Sequence, residues 1–255
     1  MKTSSLVALL ILLSSQLAFA QLTTEDTEEF LAEQFDPYAT SDKAVAPTYA
    51  HIFKLIRPNG TTQVLAVKNL NVLLKPASTM KLFTGWWAYQ EKARTDEYLS
   101  QMLKDSVNTM AQNTLVKLGG TEAMKDYFRN LGLTVNTSTF IPADGSGLSY
   151  ANQSNCAVQM ELLEMIRRDS EYITFRNMLA QPGLNGTLKK RLTSLKGKVF
   201  AKTGTLKKTA ALSGFIEAPQ GTIVFCVLSD YLNKTLAAER ARIDGMVIQN
   251  YNKAR

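Results

Sequence analysis

The chain has 255 residues and a formal net charge of +7, and 45% of its residues are hydrophobic and 20% charged. This composition is ordinary for a globular protein and excludes a disordered, collagen-like or coiled-coil chain. Two cysteines exclude a disulfide-dense scaffold and a cysteine-based zinc ribbon, and a single histidine excludes a metal site with several histidine ligands. A Ser-His-Asp enzyme would have to use His51. If the chain is an enzyme, a group other than histidine is expected to transfer its protons.

The N-terminal residues are typical of a signal peptide. Lys2 supplies the positive charge, residues 6–13 form an apolar stretch too short to span a bilayer, and the Ala-Phe-Ala of residues 18–20 matches a cleavage pattern. An N-terminal anchor helix is the alternative, but no longer apolar run follows. We therefore predict a signal peptide over residues 1–20, export, and a single domain over residues 21–255.

The pattern of the remaining chain predicts, in order, a short helix, two strands, a helical block, three strands and a closing helix. The predicted strands cover residues 48–55, 63–67, 198–202, 209–216 and 222–228, and Pro58-Asn59-Gly60 is a hairpin signal between the first two. The predicted helices cover residues 22–35, 97–104, 109–117, 122–131, 154–168, 171–179 and 235–251, with a further helix beginning at Pro76.

This order of elements predicts an α+β fold. An antiparallel five-stranded sheet would be assembled from both ends of the chain and flanked by terminal helices, with an all-helical lobe inserted. The sheet lobe is expected over about 21–75 and 186–255, the helical lobe over about 76–185, and a site in the cleft between them. Cys156 and Cys226 could form a disulfide after export, but a buried thiol in the last predicted strand is an equal alternative.

The first candidate for catalysis is Ser78-Thr79-Met80-Lys81. Positions i and i+3 of a helix share a face, so the serine hydroxyl and the lysine amine would be neighbours. A desolvated lysine beside another cation can deprotonate a serine, which builds a nucleophile without histidine. A solvated surface pair is the alternative. The chain has no other Ser-x-x-Lys, and Ser78 would lie in the first turn after Pro76, where free backbone N–H groups favour a developing negative charge.

Two further polar patterns could line the same cleft. Lys202-Thr203-Gly204 ends a predicted strand, where Lys and Thr could hold a carboxylate and Gly would let a substrate backbone approach. Ser106-Val107-Asn108 lies between two predicted helices, where the hydroxyl could relay a proton and the amide could bind a peptide carbonyl. A polar strand end and simple helix capping are the structural alternatives.

The three patterns, in this chain order, resemble the active-site signature of penicillin-binding proteins and serine β-lactamases. The Asp-Gly-Ser-Gly-Leu-Ser of residues 144–149, Gly186-Thr187-Leu188 and residues 197–206 are similar to the type-4, low-molecular-mass class C penicillin-binding proteins, which are D-Ala-D-Ala carboxypeptidases and endopeptidases. The resemblance runs from about residue 76 to the C-terminal helix and implies the penicillin-binding protein/serine β-lactamase-like transpeptidase fold.

Two departures from the family pattern are visible. Family members usually carry a large insertion between the first two motifs, whereas Ser78 and Ser106 are only 28 residues apart here, so the chain resembles a minimal form lacking the accessory insertion. Val107 stands where Asp is common.

The resemblance also implies roles for the motif residues. Ser78 would attack the carbonyl of a D-Ala–D-Xaa bond and form an acyl-enzyme, with Lys81 as general base and Ser106 passing the proton to the leaving amine. The backbone N–H groups of Ser78 and Thr205 would form the oxyanion hole. The expected substrate-binding residues are Asn108, Lys202, Thr203, Gly204 and Thr205. Asp144, Ser146 and Ser149 would shape the far wall of the cleft or, as an alternative, only fix the lobe.

The resemblance implies no metal or organic cofactor, peptidoglycan stem peptides as substrates, β-lactams as covalent inhibitors, and a monomer in the bacterial periplasm without a stable membrane anchor. No nucleic-acid partner is expected, because the chain has no arginine-rich run. The alternatives are a serine β-lactamase and a non-catalytic sensor of β-lactams or cell-wall peptides. The chain lacks the Glu-x-x-Leu-Asn motif of class A β-lactamases. Sensors of this kind are usually attached to a membrane-spanning segment. The balance between carboxypeptidase and endopeptidase activity stays open.

Overall fold

The computed structural model describes residues 48–255 of the chain. Its strands are β1 (Thr48–Ile56), β2 (Thr62–Lys68), β3 (Phe140–Ile141), β4 (Gln153–Ser154), β5 (Val199–Leu206), β6 (Thr209–Ala218) and β7 (Gly221–Asp230). Its α-helices are α1 (Lys81–Gln90), α2 (Asp96–Lys104), α3 (Asn108–Lys117), α4 (Gly120–Asn130), α5 (Cys156–Arg168), α6 (Tyr172–Asn177) and α7 (Leu236–Lys253). The signal peptide and the helix predicted over 22–35 lie outside the described residues. None of the helices within 48–255 is long and apolar enough to cross a membrane.

The main sheet has the strand order β2-β1-β7-β6-β5, and all neighbouring strands are antiparallel. The first strand lies beside the last, with Thr48 opposite Asp230, so both ends of the described chain build one sheet. The helices α1 to α6 are inserted between β2 and β5. The predicted five-stranded antiparallel sheet with an inserted helical lobe is therefore confirmed. The short pair β3–β4 was not predicted, because two-residue strands leave no readable alternation.

The sheet separates two hydrophobic cores. Strand β7 contributes side chains to both of them, which explains its apolar sequence. Val224, Cys226 and Leu228 belong to the core shared with the helical lobe. The alternating residues Phe225 and Val227 belong to the core beneath α7. Because successive side chains of a strand point to opposite faces, a strand covered on both faces needs an unbroken apolar run.

Strand β5 extends further than its sequence predicts. Its residues pair one by one with β6, from Val199 opposite Ile216 to Leu206 opposite Thr209. Lys202, Thr203 and Gly204 therefore lie inside the strand and not at its end. The sequence predicts a strand only up to residue 202, because Lys and Gly are poor strand formers, and pairing with β6 overrides that preference.

A disulfide joins Cys156, the first residue of α5, to Cys226 in β7. The two cysteines are 70 residues apart in sequence, and both are completely buried. The bond links the helical lobe directly to the sheet, which settles the question that the sequence left open.

Removal of this bond is expected to lower the free energy of unfolding by about 4 kcal/mol, because it closes a long loop in the unfolded chain. A double Cys156→Ala, Cys226→Ala variant should show this loss in urea unfolding. The wild-type protein under reducing conditions is the control and should move towards the same midpoint. Equal midpoints for oxidised wild type and the double variant would contradict the prediction.

His51 lies half-buried on β1, and its Nδ1 atom is buried with no hydrogen-bond partner among residues 48–255. Burial, and then the charges of Arg242 and Lys68, lower its pKa below the usual 6.5. A base with a lowered folded-state pKa favours the folded chain when neutral, so its stability contribution is present above about 6.5 and is lost as the pH falls towards the folded pKa.

A His51→Gln variant should therefore show a smaller loss of stability than the wild type when the pH is lowered from about 7.5 to about 5. Urea unfolding at the two pH values measures this difference. Parallel losses in both proteins would show that other groups carry the pH dependence.

Candidate active site

Ser78 lies in a tight turn that precedes α1. Residues Ala77–Met80 form a single 3₁₀ turn, in which both the backbone N–H and the hydroxyl of Thr79 donate to the carbonyl of Pro76, at 3.2 and 2.7 Å. The sequence predicts an ordinary helix from Pro76, whereas regular α-helix begins only at Lys81. Ser78 is partly exposed, while its neighbours in the turn are buried. Ser78 is thus the one residue of this turn that remains accessible.

The turn is pressed against β5 without an intervening side chain. A Cβ atom at Gly204 would lie 2.8 Å from the carbonyl oxygen of Pro76 and 3.1 Å from Cβ of Ala77. The sequence predicts that this glycine lets a substrate backbone approach. The structure adds a second reason, because the glycine lets the backbone that carries Ser78 approach the strand.

Lys81 is fully buried, and its amine contacts three oxygen atoms. Its Nζ lies 2.8 Å from Ser78 Oγ, 2.5 Å from Asn108 Oδ1 and 2.8 Å from the carbonyl oxygen of Ser146. An ammonium group has three N–H donors, whereas a neutral amine has two donors and one lone pair. The neutral amine can donate to Asn108 and Ser146 while its lone pair accepts the Ser78 hydroxyl. The proton of Ser78 can therefore pass to Lys81 without a change in these contacts.

A second serine–lysine pair joins the helical lobe to the sheet. Ser106 lies between α2 and α3, and Lys202 lies on β5; Lys202 Nζ donates to Ser106 Oγ at 2.8 Å and to the carbonyl of Thr203 at 3.0 Å. Both side chains are buried. Ser106 has a φ of +61°, which is uncommon for a residue with a side chain. The strained backbone points the Ser106 hydroxyl at the sheet lobe.

Asp144 organises the loop of residues 144–149. Its Oδ1 accepts from the backbone N–H and hydroxyl of Ser146 and from the N–H of Gly147, and its Oδ2 accepts from the N–H of Ser149. The carboxylate is thus occupied inside the loop. The loop meets the site through its backbone, since the Ser146 carbonyl accepts from Lys81. A Cβ at Gly147 would also clash with the carbonyl of Ala77, so the loop packs directly on the Ser78 turn.

The outer half of β5 carries two threonines whose hydroxyls are held by other elements. Thr203 Oγ1 lies 2.7 Å from Thr187 Oγ1, in the 3₁₀ turn Gly186–Leu188. Arg240 of α7 donates from Nη2 to Thr205 Oγ1 at 2.8 Å. Sequence reasoning missed both partners. Thr187 stands in a stretch that the resemblance includes but gives no role, and Arg240 has no local motif around it.

The structure therefore brings the sequence-predicted residues Ser78, Lys81, Ser106, Asn108, Lys202 and Ser146 into two hydrogen-bonded groups, and it adds an arginine beside the Thr205 hydroxyl. Two lysines and one arginine line this region, and the carboxylate of Asp144 already accepts four hydrogen bonds. The arrangement offers a serine nucleophile beside a basic amine and a cationic edge suited to an anionic substrate group.

Comparison with known proteins matches a large part of the chain to one family. The model of the D-Ala-D-Ala carboxypeptidase 3 (S13) family matches residues 91–251. The D-alanyl-D-alanine carboxypeptidase DacB of Haemophilus influenzae is 29% identical over 209 residues, which cover 75% of this chain and 42% of that relative. The chain spans less than half the length of the curated relatives that it matches.

Solved structures share the fold. Penicillin-binding protein 4 of Haemophilus influenzae matches with a TM-score of 0.50 and 25% identity over 55% of this chain and 34% of that chain. A penicillin G-acylated predatory endopeptidase of Bdellovibrio bacteriovorus, solved with an immunity protein, matches with a TM-score of 0.67 and 14% identity over 81% of this chain and 93% of that chain. The predicted penicillin-binding protein/serine β-lactamase-like fold is confirmed. The family predicted from the motifs is confirmed as well, and the chain belongs to the D-Ala-D-Ala carboxypeptidase 3 (S13) family.

Proposed function

We propose that the chain is a serine DD-peptidase that hydrolyses D-Ala–D-Xaa bonds in peptidoglycan stem peptides through an acyl-enzyme on Ser78, and that penicillin acylates the same serine. The observation that carries this proposal is the 2.8 Å contact between Lys81 Nζ and Ser78 Oγ, with the buried amine held by Asn108 and Ser146. Membership of a D-Ala-D-Ala carboxypeptidase family supports it.

The proposed reaction uses groups of the chain itself. Ser78 Oγ attacks the carbonyl carbon while its proton passes to Lys81, and the backbone N–H groups of Ser78 and Thr205 stabilise the oxyanion. Ser106, which is hydrogen-bonded to Lys202, gives its proton to the leaving amine and takes up the proton that Lys81 received, so that both groups return to their starting state. The C–N bond breaks, and the acyl group stays on Ser78. Water then attacks the ester, releases the shortened peptide and restores the serine proton.

The substrate would lie along β5, where its terminal carboxylate meets Lys202, Thr203 and Thr205. Arg240 already donates to the hydroxyl of Thr205 at 2.8 Å. Its guanidinium therefore lies close enough to attract a carboxylate that binds that threonine, and charged hydrogen bonds of this kind are stronger than neutral ones.

An Arg240→Gln variant is expected to be acylated by penicillin roughly tenfold more slowly at low inhibitor concentration, because one charged donor to the carboxylate is lost. The second-order acylation rate measures this effect. Lys198→Gln is the control, since Lys198 is an exposed cation just before β5 whose loss changes the net charge equally. Equal rates for both variants would remove Arg240 from the carboxylate site.

The segment of the chain between the Ser78 motif and the Ser106 motif is short. Residues 91–95 alone join α1 to α2, so no accessory domain is inserted between Ser78 and Ser106. A cleft without an insertion at this connection would admit cross-linked wall as well as free stem peptides. For this reason we propose endopeptidase activity in addition to carboxypeptidase activity.

Digestion of purified peptidoglycan tests this part of the proposal. Wild-type protein should convert dimeric muropeptides into monomers and remove terminal D-Ala, while the Ser78→Ala protein should do neither. Loss of D-Ala with intact dimers would leave a carboxypeptidase only. Nitrocefin distinguishes the β-lactamase alternative, because a DD-peptidase is trapped in stoichiometric amounts whereas a β-lactamase releases hydrolysed product over many turnovers.

The proposal extends to the location and organisation of the protein. A DD-peptidase meets its substrate in the periplasm, in keeping with the signal peptide predicted over residues 1–20 and a single catalytic domain over residues 21–255. A monomer without a membrane anchor is the expected form. Cell fractionation and size-exclusion chromatography of the full chain test these points.

A further inference from the structure

The 3₁₀ turn Gly186–Leu188 contacts both walls of the cleft. Gly186 has a φ of +56°, and a Cβ atom there would lie 2.4 Å from the carbonyl oxygen of Lys104, at the end of α2 and two residues before Ser106. The next residue, Thr187, reaches across to β5, where its hydroxyl lies 2.7 Å from that of Thr203.

A bound substrate would fix which of the two hydroxyls, Thr187 or Thr203, donates the hydrogen bond between them. Each threonine hydroxyl has one proton to donate and two lone pairs to accept with. A carboxylate only accepts, so Thr203 must use its single proton when it binds one. The contact between the two threonines can then persist only if Thr187 donates to Thr203. A hydroxyl that accepts a hydrogen bond becomes a better donor, because hydrogen bonds in a chain polarise one another.

Thr203 is contacted both through its hydroxyl, by Thr187, and through its backbone. Its carbonyl oxygen is held by Lys202 Nζ at 3.0 Å, and its side chain is buried. The second threonine of the strand, Thr205, is engaged by Arg240 on α7. Each of the two hydroxyls is thus oriented by a different element, and the partner of Thr203 is uncharged.

We propose that Thr187 is a positioning residue for substrate binding: its hydroxyl donates to Thr203 Oγ1 and thereby fixes the Thr203 proton as the donor to the terminal carboxylate of the substrate. This inference rests on the proposed DD-peptidase function. Thr187 itself touches Thr203 and acts on the substrate only through it.

The test uses the full-length protein and two acylating probes, benzylpenicillin and its methyl ester, which lacks the carboxylate. Thr187→Val keeps the shape of the side chain and removes the hydroxyl. It should lower the acylation rate by benzylpenicillin about tenfold and leave the rate with the ester within about twofold of the wild type. Thr187→Ser restores the hydroxyl and should behave like the wild type with both probes. Thr187→Ala is a second hydroxyl-free variant, should valine disturb folding.

A double-variant cycle supplies the second readout. Thr203→Val should reproduce the selective loss, and adding Thr187→Val to it should cost nothing further, because the two hydroxyls act as one chain. Equal losses with both probes would mark Thr187 as merely structural, and unchanged rates would remove it from the site; either result overturns the inference while leaving the proposed function intact. A wild-type protein that neither probe acylates would overturn both.

Discussion

A Ser78→Ala variant is expected to lose covalent labelling by fluorescent penicillin completely while keeping its fold. Ser78 carries the hydroxyl that lies 2.8 Å from the Lys81 amine, and it is partly exposed to the cleft. In the proposed reaction that oxygen is the nucleophile, so its removal leaves no covalent route. The substitution deletes a single oxygen atom from a partly exposed position, and the thermal unfolding midpoint should therefore change little.

The matched control is Ser194→Ala, which removes an exposed hydroxyl from a turn before β5. This variant should be labelled as fast as the wild type. Intact-mass spectrometry after incubation with benzylpenicillin gives the stoichiometry directly: one adduct on the wild type and on Ser194→Ala, and none on Ser78→Ala. An adduct on Ser78→Ala would show that another residue is the nucleophile.

The second large effect is expected for Lys81→Met, which replaces the amine with an apolar group of similar length. Acylation should slow by about a thousandfold, because a positioned general base contributes roughly a hundredfold to ten-thousandfold. The hydroxyl of Ser78 remains, so slow labelling should still reach one adduct. Rapid-quench measurement of the acylation rate separates this behaviour from the complete loss in Ser78→Ala.

Stability must be followed in parallel, because Lys81 is fully buried and its amine contacts Asn108 and the Ser146 carbonyl. Leaving these two acceptors without a donor is expected to cost on the order of 1–3 kcal/mol for each buried group. Lys198→Met serves as the control for loss of a lysine at an exposed site. A folded Lys81→Met protein with the wild-type acylation rate would exclude Lys81 as the base.

Much of the fold is predictable because its elements have local signatures. The apolar run of β7 reflects a strand covered on both faces, and Pro58-Asn59-Gly60 marks the hairpin between β1 and β2. The full length of strand β5 is harder to predict, because residues 202–205 are Lys, Thr, Gly and Thr and are held in the strand by pairing with β6. The disulfide joins residues 70 apart, and nothing in the local sequence at either cysteine indicates the distance between them.

The site shows the same division between local and non-local information. The spacing of Ser78 and Lys81 is a local pattern, and it places the two side chains in contact. Thr187 and Arg240 lie 16 and 35 residues from the threonines that they contact. These contacts depend on which surfaces the fold brings together, so only the three-dimensional structure reveals them.

Two glycines, Gly147 and Gly204, pack on the turn that carries Ser78 and make its environment depend on two other segments of the chain. At Gly147 and Gly204, backbone from two segments distant in sequence lies directly against residues 76–77, with no flexible side chain to absorb a displacement. The environment of Ser78 is consequently absent from any partly folded state in which either segment has separated. We therefore expect the proposed penicillin reactivity to report the completed assembly of both lobes, and to be lost in sub-global opening events that spare most secondary structure.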